Sequence, residues 1–239
     1  MRNICGLLLG LLMITGCSEE KKKPDGNLEL TGNISGLKSG TLYVQKLQDT
    51  SFVVLDSIKI SGNSSFTTYL NIDSPEMLYL YLDRGATNTI DNNLMFFAEP
   101  GKMNIDTDLE TFFATAKITG SKNHDLYEEY KKVKSRFVNQ ELDLTLEKMT
   151  AFQNKKAFAS EESNKKMEAI QKRKYLYAIN FAVNNKNHEV APYIALSEIH
   201  DANIKFLDTI ANSLAPKIAQ SKYGKLLTQY ISDRKKAGE

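Results

Sequence analysis

Apolar and polar residues alternate with a period of two from Leu28 to about Gly120, and turn residues interrupt the alternation at short intervals. This alternation is typical of strands that bury one face. About seven or eight short strands with regular turn signals indicate an antiparallel β-sandwich, with its last strand over 111–119. The segments that carry the pattern are 28–32, 41–45, 53–60, 66–72, 77–82, 94–98 and 103–105.

The run Met77 to Leu82 (MLYLYL) differs from the others because it is apolar at both odd and even positions. A strand of this kind is buried on both faces, so we expect it to lie centrally in its sheet with a layer on each side. We interpret its tyrosines as packing residues rather than as a ligand stack.

After Gly120 the period changes to that of a helix. Leu126, Tyr130, Val133 and Phe137 fall at i, i+4, i+7 and i+11, and the residues Leu142, Leu146 and Met149 are predicted to continue the stripe. Further helices are predicted from Ser160, near Pro192, over Ile204 to Leu214 and around Tyr223. The sequence therefore predicts a mixed fold, β then α, with a β-sandwich over 28–120 and a helical bundle region over 121–239, packed on itself or on the sheet.

The first residues form a separate segment. Arg2 precedes an apolar run from Ile4 to Ile14, which is shorter than the roughly 20 residues of a bilayer span. A positive start, a short apolar run and small residues at its end are typical of a secretory signal, here residues 1–16. Residues 17–27 are polar and interrupted by proline and glycine, which favours a flexible tether.

The residues Ile14-Thr15-Gly16-Cys17 resemble the lipobox of bacterial lipoproteins. The resemblance implies cleavage between Gly16 and Cys17 and acylation of Cys17 with diacylglycerol and palmitate-type chains. Two or three acyl chains give a stable membrane anchor. An ordinary signal peptide with an accidental cysteine is the alternative.

The composition excludes several classes of binding and catalytic site. The chain has 31 Lys+Arg and 29 Asp+Glu, and this balance excludes the basic excess of a nucleic-acid binder. Both cysteines, Cys5 and Cys17, lie in the signal or at the anchor, so the rest of the chain offers no thiol, disulfide or thiolate metal site. His124, His188 and His200 lack the spacing of a helical metal site, and we expect them at surface or cap positions. The sequence predicts no catalytic constellation, metal or cofactor.

Several motifs in order resemble one family. They are Ile34-Ser35-Gly36-Leu37, Phe96-Phe97-Ala98-Glu99-Pro100-Gly101, Ile118-Thr119-Gly120-Ser121 and, in the helical half, Ser221-Lys222-Tyr223-Gly224-Lys225-Leu226-Leu227. Together they resemble a domain of unknown function, with its helical connector, found in bacterial lipoproteins ahead of a thioredoxin-like (AhpC/TSA or TlpA-type) domain. None of these residues has the character of a reactive group, so we interpret them as maintaining the fold.

One departure from the family decides the functional expectation. The resemblance implies a thioredoxin domain with Cys-x-x-Cys after the connector, but no cysteine follows Cys17, and the chain ends at Glu239, about where that domain would start. We therefore expect a non-catalytic, lipid-anchored binding or accessory module with an envelope partner such as a thioredoxin-like protein. One alternative is the non-catalytic half of a split or truncated thiol-disulfide oxidoreductase. A weaker one is nutrient or glycan capture, which predicts an exposed aromatic platform on the sandwich.

The residues after the anchor bear on location. Ser18, rather than an aspartate, favours transfer to the outer membrane by family habit, and Ser18-Glu19-Glu20 resembles the acidic export signals of some Gram-negative lineages. Both the periplasmic and the surface-exposed face remain open.

Overall fold

A computed structural model describes residues 26–85, 92–153 and 160–238. The signal, the cleavage site at Gly16 and the anchor at Cys17 lie outside these ranges. The predicted order, a β-sandwich followed by helices, is confirmed. The strands are β1 Leu28–Ser35, β2 Ser39–Gln48, β3 Ser51–Ser61, β4 Ser65–Leu70, β5 Glu76–Asp83, β6 Asn93–Ala98, β7 Gly101–Asp108 and β8 Lys117–Thr119. The helices are α1 Lys122–Gln153, α2 Ser160–Asn184, α3 Val190–Glu198, α4 Ile204–Ser213, α5 Pro216–Ala219 and α6 Lys222–Lys236.

The strands form two four-stranded sheets. The first sheet has the order β4-β1-β7-β8 and the second the order β3-β2-β5-β6. The antiparallel expectation fails for one pair, because β1 and β7 run parallel with Leu28 opposite Gly101. Parallel neighbours need a long crossover. Here the crossover is the chain from β2 to β6, so all four strands of the second sheet lie within it, together with β4.

The two sheets bury one apolar core between their inner faces. Leu28, Leu30 and Ile34 of β1 have no exposed surface, and they share a cluster with Leu42 and Phe96 of the second sheet. Between the sheets, the Thr68 hydroxyl of β4 donates to the Asp56 carboxylate of β3. The alternation seen in the sequence is therefore the alternation between this core and the outside.

Strand β5 takes part in both hydrophobic cores, as its apolar run predicts. It lies between β2 and β6, with Leu78, Leu80 and Leu82 in the sandwich core. On its other face Met77 joins a second core, formed mainly by the helices, together with Phe97 of β6. The helical layer therefore packs on the outer face of the second sheet.

The strand predicted over 111–119 is shorter than expected. Only Lys117–Thr119 forms β8, and the preceding residues form a turn in which the Thr115 amide donates to the Thr111 carbonyl at 3.0 Å. The Thr111 and Thr115 hydroxyls also lie 3.0 Å apart. Local threonine bonds of this kind compete with strand pairing.

The buried stripe predicted for helix α1 is wrong in the second half of the helix. Leu126 and Tyr130 are buried as expected, but Leu142, Leu146 and Met149 lie on the surface. Leu144, 6% exposed, is buried in their place. Helix α2 packs on the Leu144 side of α1, so the apolar stripe faces away from it. None of the described helices has the length and hydropathy needed to cross a membrane.

The burial of Leu144 gives a direct test of the α1–α2 packing. We expect Leu144→Ala to lower the free energy of unfolding by about 2 kcal/mol, because it leaves a cavity between the helices. The matched control Leu226→Ala, in α6 where Leu226 is 48% exposed, should stay within about 0.5 kcal/mol of the parent. Urea denaturation followed by circular dichroism measures both. Equal losses in the two variants would contradict the packing.

Candidate functional site

Two of the family-like motifs, 96–101 and 221–227, meet at the seam between the second sheet and the helices. A groove of about 870 Å³ follows this seam. Its walls come from the turn before β5, the β6–β7 turn, the loop between α2 and α3, and the segment from α5 to α6. Its lining includes Ser74, Pro75, Glu99, Pro100, His188, Glu189, Lys217, Ser221, Lys222 and Lys225. Motifs that lie more than 100 positions apart in the sequence are therefore neighbours here.

Asn123, at the start of α1, forms the centre of the seam. Its backbone amide and Nδ2 donate to the two carboxylate oxygens of Glu99, at 3.0 and 2.9 Å. Nδ2 also donates to Glu189 Oε2 at 3.0 Å, and Oδ1 accepts from the Val190 amide at 2.8 Å. Asn123 has no exposed surface. One amide therefore joins the β6–β7 turn, α1 and the start of α3.

Helix α6 is fixed to the same sheet by neighbouring bonds. The Tyr223 hydroxyl accepts from the Met77 amide at 2.9 Å, and the Lys222 ammonium pairs with the Glu76 carboxylate. Ser221 caps α6 by accepting from the Gly224 amide. Gly224 is required because a Cβ there would lie 2.1 Å from the Ile218 carbonyl oxygen. The motif residues of α6 thus hold the helix on the strand.

The tyrosines of the seam are held in their neutral form. Burial raises the pKa of Tyr193 to about 12 and raises the pKa of Tyr223 further above its ordinary value. Tyr193 lies edge-on to Phe97, Tyr127 and Tyr223, with ring centroids 5.1 to 5.8 Å apart. Edge-to-face contacts of this kind stabilise aromatic cores. The cluster is a packing unit at physiological pH.

The three histidines do not come together. His200 is exposed and His188 is half-buried at the groove, but His124, expected at a surface or cap position, is 4% exposed. It lies in the first turn of α1, where the Phe97 amide donates to Nδ1 at 3.4 Å and Nε2 is 3.5 Å from Glu128. Across the described ranges, no three His, Cys, Asp or Glu side chains are arranged to hold a metal ion.

The outer face of the second sheet is only partly covered by the helices. The strand register places Tyr43, Leu47, Phe52, Val54 and Tyr81 on this face, and we call them the open aromatic face. Tyr43 and Tyr81 stack with ring centroids 6.2 Å apart, and Phe52 lies edge-on to Tyr79 at 4.9 Å. Leu47, Phe52 and Val54 are each about half exposed.

Residues 28–127 match the profile of a domain of unknown function (DUF4369). The match covers all eight strands and the first turn of α1, so it includes Glu99 and Asn123, but not Glu189 or α6. No curated protein matches the chain.

Sequence reasoning reached some of these residues and missed others. It singled out Glu99 and the segment 221–227 through the family resemblance, and the structure brings these together at the seam. It gave no sign of Asn123 or Glu189, because neither carries a motif and they lie 66 residues apart. The predicted acylation site, Cys17, lies outside the described ranges.

Asn123 provides a test of the seam. Asn123→Ala should lower the free energy of unfolding by about 3 kcal/mol, because Glu189 and the Val190 amide lose this partner in a buried site and Glu99 keeps only its bond to the backbone amide. Asn139→Ala, at an exposed position of the same helix, should change it by less than about 0.5 kcal/mol. Chemical denaturation measures both. An Asn123 variant as stable as the Asn139 variant would show that the sheet and the helices do not depend on this amide.

His124 gives a pH dependence whose sign follows from its burial. Burial lowers the pKa of His124, outweighing the opposite effect of Glu128. As the pH falls, the unfolded chain therefore takes up the proton before the folded chain does. The contribution of neutral His124 to the free energy of unfolding should be fully present above about pH 6.5 and should be lost as the pH falls from there toward the lowered pKa of the folded state. Unfolding at pH 7.5 and 5.0 should differ more for the parent than for His124→Gln. The same pH slope in both would contradict this role.

Proposed function

We propose that this protein is a non-catalytic, lipid-anchored binding module of the bacterial cell envelope. Its anchor is acylated Cys17, with the outer membrane as the destination, and its binding surface is the open aromatic face. The single observation that carries the proposal is this partly uncovered aromatic and aliphatic surface beside the free edge of β3. Exposed apolar patches of this kind are typical of interaction sites.

The seam supports a binding role indirectly. Glu99, Tyr223 and Lys222 all make contacts within the chain, joining the sheet to the helices. These motif residues therefore serve the fold, and recognition falls to surfaces outside the seam. A rigid junction also holds the sheet at a fixed angle to the helical layer, which suits a preformed binding surface.

The edge of β3 indicates the kind of partner. This strand of 11 residues pairs with β2 on one side and ends its sheet on the other. An edge strand presents unpaired amides and carbonyls, which an extended segment of another protein can extend as an added strand. We therefore favour an envelope protein as the partner, and a thioredoxin-like protein fits this role, including the case of a divided oxidoreductase.

A second candidate, glycan capture, is favoured by the Tyr43–Tyr81 pair. The two rings stack with an interplanar angle of 24° and both are partly exposed, so they present a pair of aromatic rings at the surface. Aromatic side chains of this kind provide a large apolar face with a polar hydroxyl at its rim. A sugar ring has a matching apolar face and polar edges.

Site-specific photo-crosslinking tests the proposal in cells. A photoreactive phenylalanine analogue at position 43 or 52 of the full-length chain should give one common protein adduct. The matched control is position 206 in α4, where Phe206 is exposed to a similar degree, and it should not give that adduct. Identical adduct patterns at all three positions would contradict a role for the open aromatic face.

The glycan candidate is tested with defined oligosaccharides. Calorimetric titration of the purified protein should detect binding that is reduced at least tenfold in Tyr43→Ala and unchanged in Phe206→Ala. If no oligosaccharide binds while the protein adduct forms, the second candidate is wrong and the first stands. Neither adduct nor sugar binding would contradict the binding-module proposal as a whole.

A further inference from the structure

The outer half of α1 carries an exposed apolar stripe. It consists of Val138, Leu142, Leu146, Met149 and Phe152, which are 43, 54, 51, 56 and 85% exposed. Among the described residues, only the opposite side of this helix half is covered, by α2. A surface of this size and continuity on a soluble layer marks an interaction site.

Contacts on the other side of α1 define where the stripe points. Leu144 is buried toward α2, the Lys174 ammonium of α2 donates to Glu141 at 2.7 Å, and Lys148 donates to Asn164 of α2 at 3.2 Å. A helix turns about 100° per residue. The stripe therefore lies on the side of α1 that is directed away from α2.

The spacing of the stripe is that of a coiled-coil interface. Positions 138, 142, 145, 149 and 152 follow one another in steps of four, three, four and three, and Thr145 is the one polar member. Leu146 lies beside these positions and widens the apolar surface. This is the a/d pattern through which two helices pack knobs into holes. The stripe is therefore shaped for a helix rather than for a flat or irregular partner.

The area of the stripe suits a second copy of the chain. Five apolar side chains exposed by about half or more present roughly 500 Å². Two copies would bury roughly 1,000 Å² of apolar surface, and because about 60% of such an interface is apolar, the whole would reach roughly 1,600 Å². Stable protein interfaces bury about 1,200–2,000 Å².

Charge disfavours a membrane surface as the occupant. The stripe-bearing half of α1 contains Glu141, Asp143 and Glu147 but only one cation, Lys148. Helices that lie on membranes are rich in Lys and Arg at their polar face, and anionic lipids would repel this segment. A protein helix does not meet this penalty.

The helix dipoles favour one orientation. In an antiparallel pair the positive N-terminal end of each helix lies beside the negative C-terminal end of the other. With Val138 opposite Met149 of the partner subunit, Leu142 lies opposite Thr145 of the partner subunit, and the reverse contacts form by symmetry. We propose that a second copy of this chain packs antiparallel on the α1 stripe, across a two-fold axis near residues 143 and 144.

Sedimentation of the chain from Ser18 onward, which contains every described element, tests the association. We expect a dimer at micromolar concentration and an at least tenfold weaker dimer for Leu142→Glu combined with Leu146→Glu. Circular dichroism should show both folded, because these side chains lie on the surface. Leu226→Glu in α6 is the matched control and should remain dimeric. A parent chain that stays monomeric at 100 μM would overturn the proposal, and so would binding of that monomer to phosphatidylethanolamine–phosphatidylglycerol vesicles through the stripe.

Disulfide trapping tests the orientation. The chain from Ser18 onward has no cysteine, so each introduced thiol is unique. Mixing Val138→Cys with Met149→Cys chains should give a disulfide between the two variants under mild oxidation. Val138→Cys alone should not cross-link, because its two copies would lie roughly 16 Å apart along the axis. Cross-linking of Val138→Cys with itself would indicate a parallel pair and overturn the antiparallel arrangement.

Discussion

The position of the helices on the second sheet depends on the buried side-chain amide of Asn123. This residue lies where the β6–β7 turn, α1 and α3 meet. Its side chain donates hydrogen bonds to Glu99 and Glu189 and accepts one from the Val190 amide. A buried carboxylate is costly unless it is bonded, so this amide and its two carboxylate partners constrain one another. With this geometry fixed, α6 can seat Tyr223 on the Met77 amide and complete the second core.

This constraint also determines which surfaces stay open. The helical layer covers the part of the second sheet around Met77 and Phe97 and leaves the part around Tyr43 and Phe52 uncovered. The same sheet therefore serves two purposes along its width. Its β6 side holds the helices, and its β3 side presents aromatic rings and a strand edge.

Helix α1 likewise has one part that packs in the core and one part that stays largely exposed. Its first turns supply Leu126 and Tyr130 to the core, whereas Leu144 is the one buried side chain of its outer half and packs toward α2. The stripe that begins at Val138 is thus left for something other than the chain's own core. In this protein, exposed apolar surfaces arise where a regular element extends past the layer that covers it.

The sequence by itself determined the order of strands and helices, the central place of Met77 to Leu82 and the absence of thiols after Cys17, because periodicity and composition are local properties of the chain. Only the tertiary structure decided that β1 and β7 run parallel, that Asn123 and Glu189 meet, that His124 is buried, and that Leu144 rather than Leu142 faces α2. An apolar stripe indicates that a face will be covered, but not by which element. Hydrogen bonds between residues 24 or 66 positions apart leave no periodic trace in the sequence, and so they had to be seen in three dimensions.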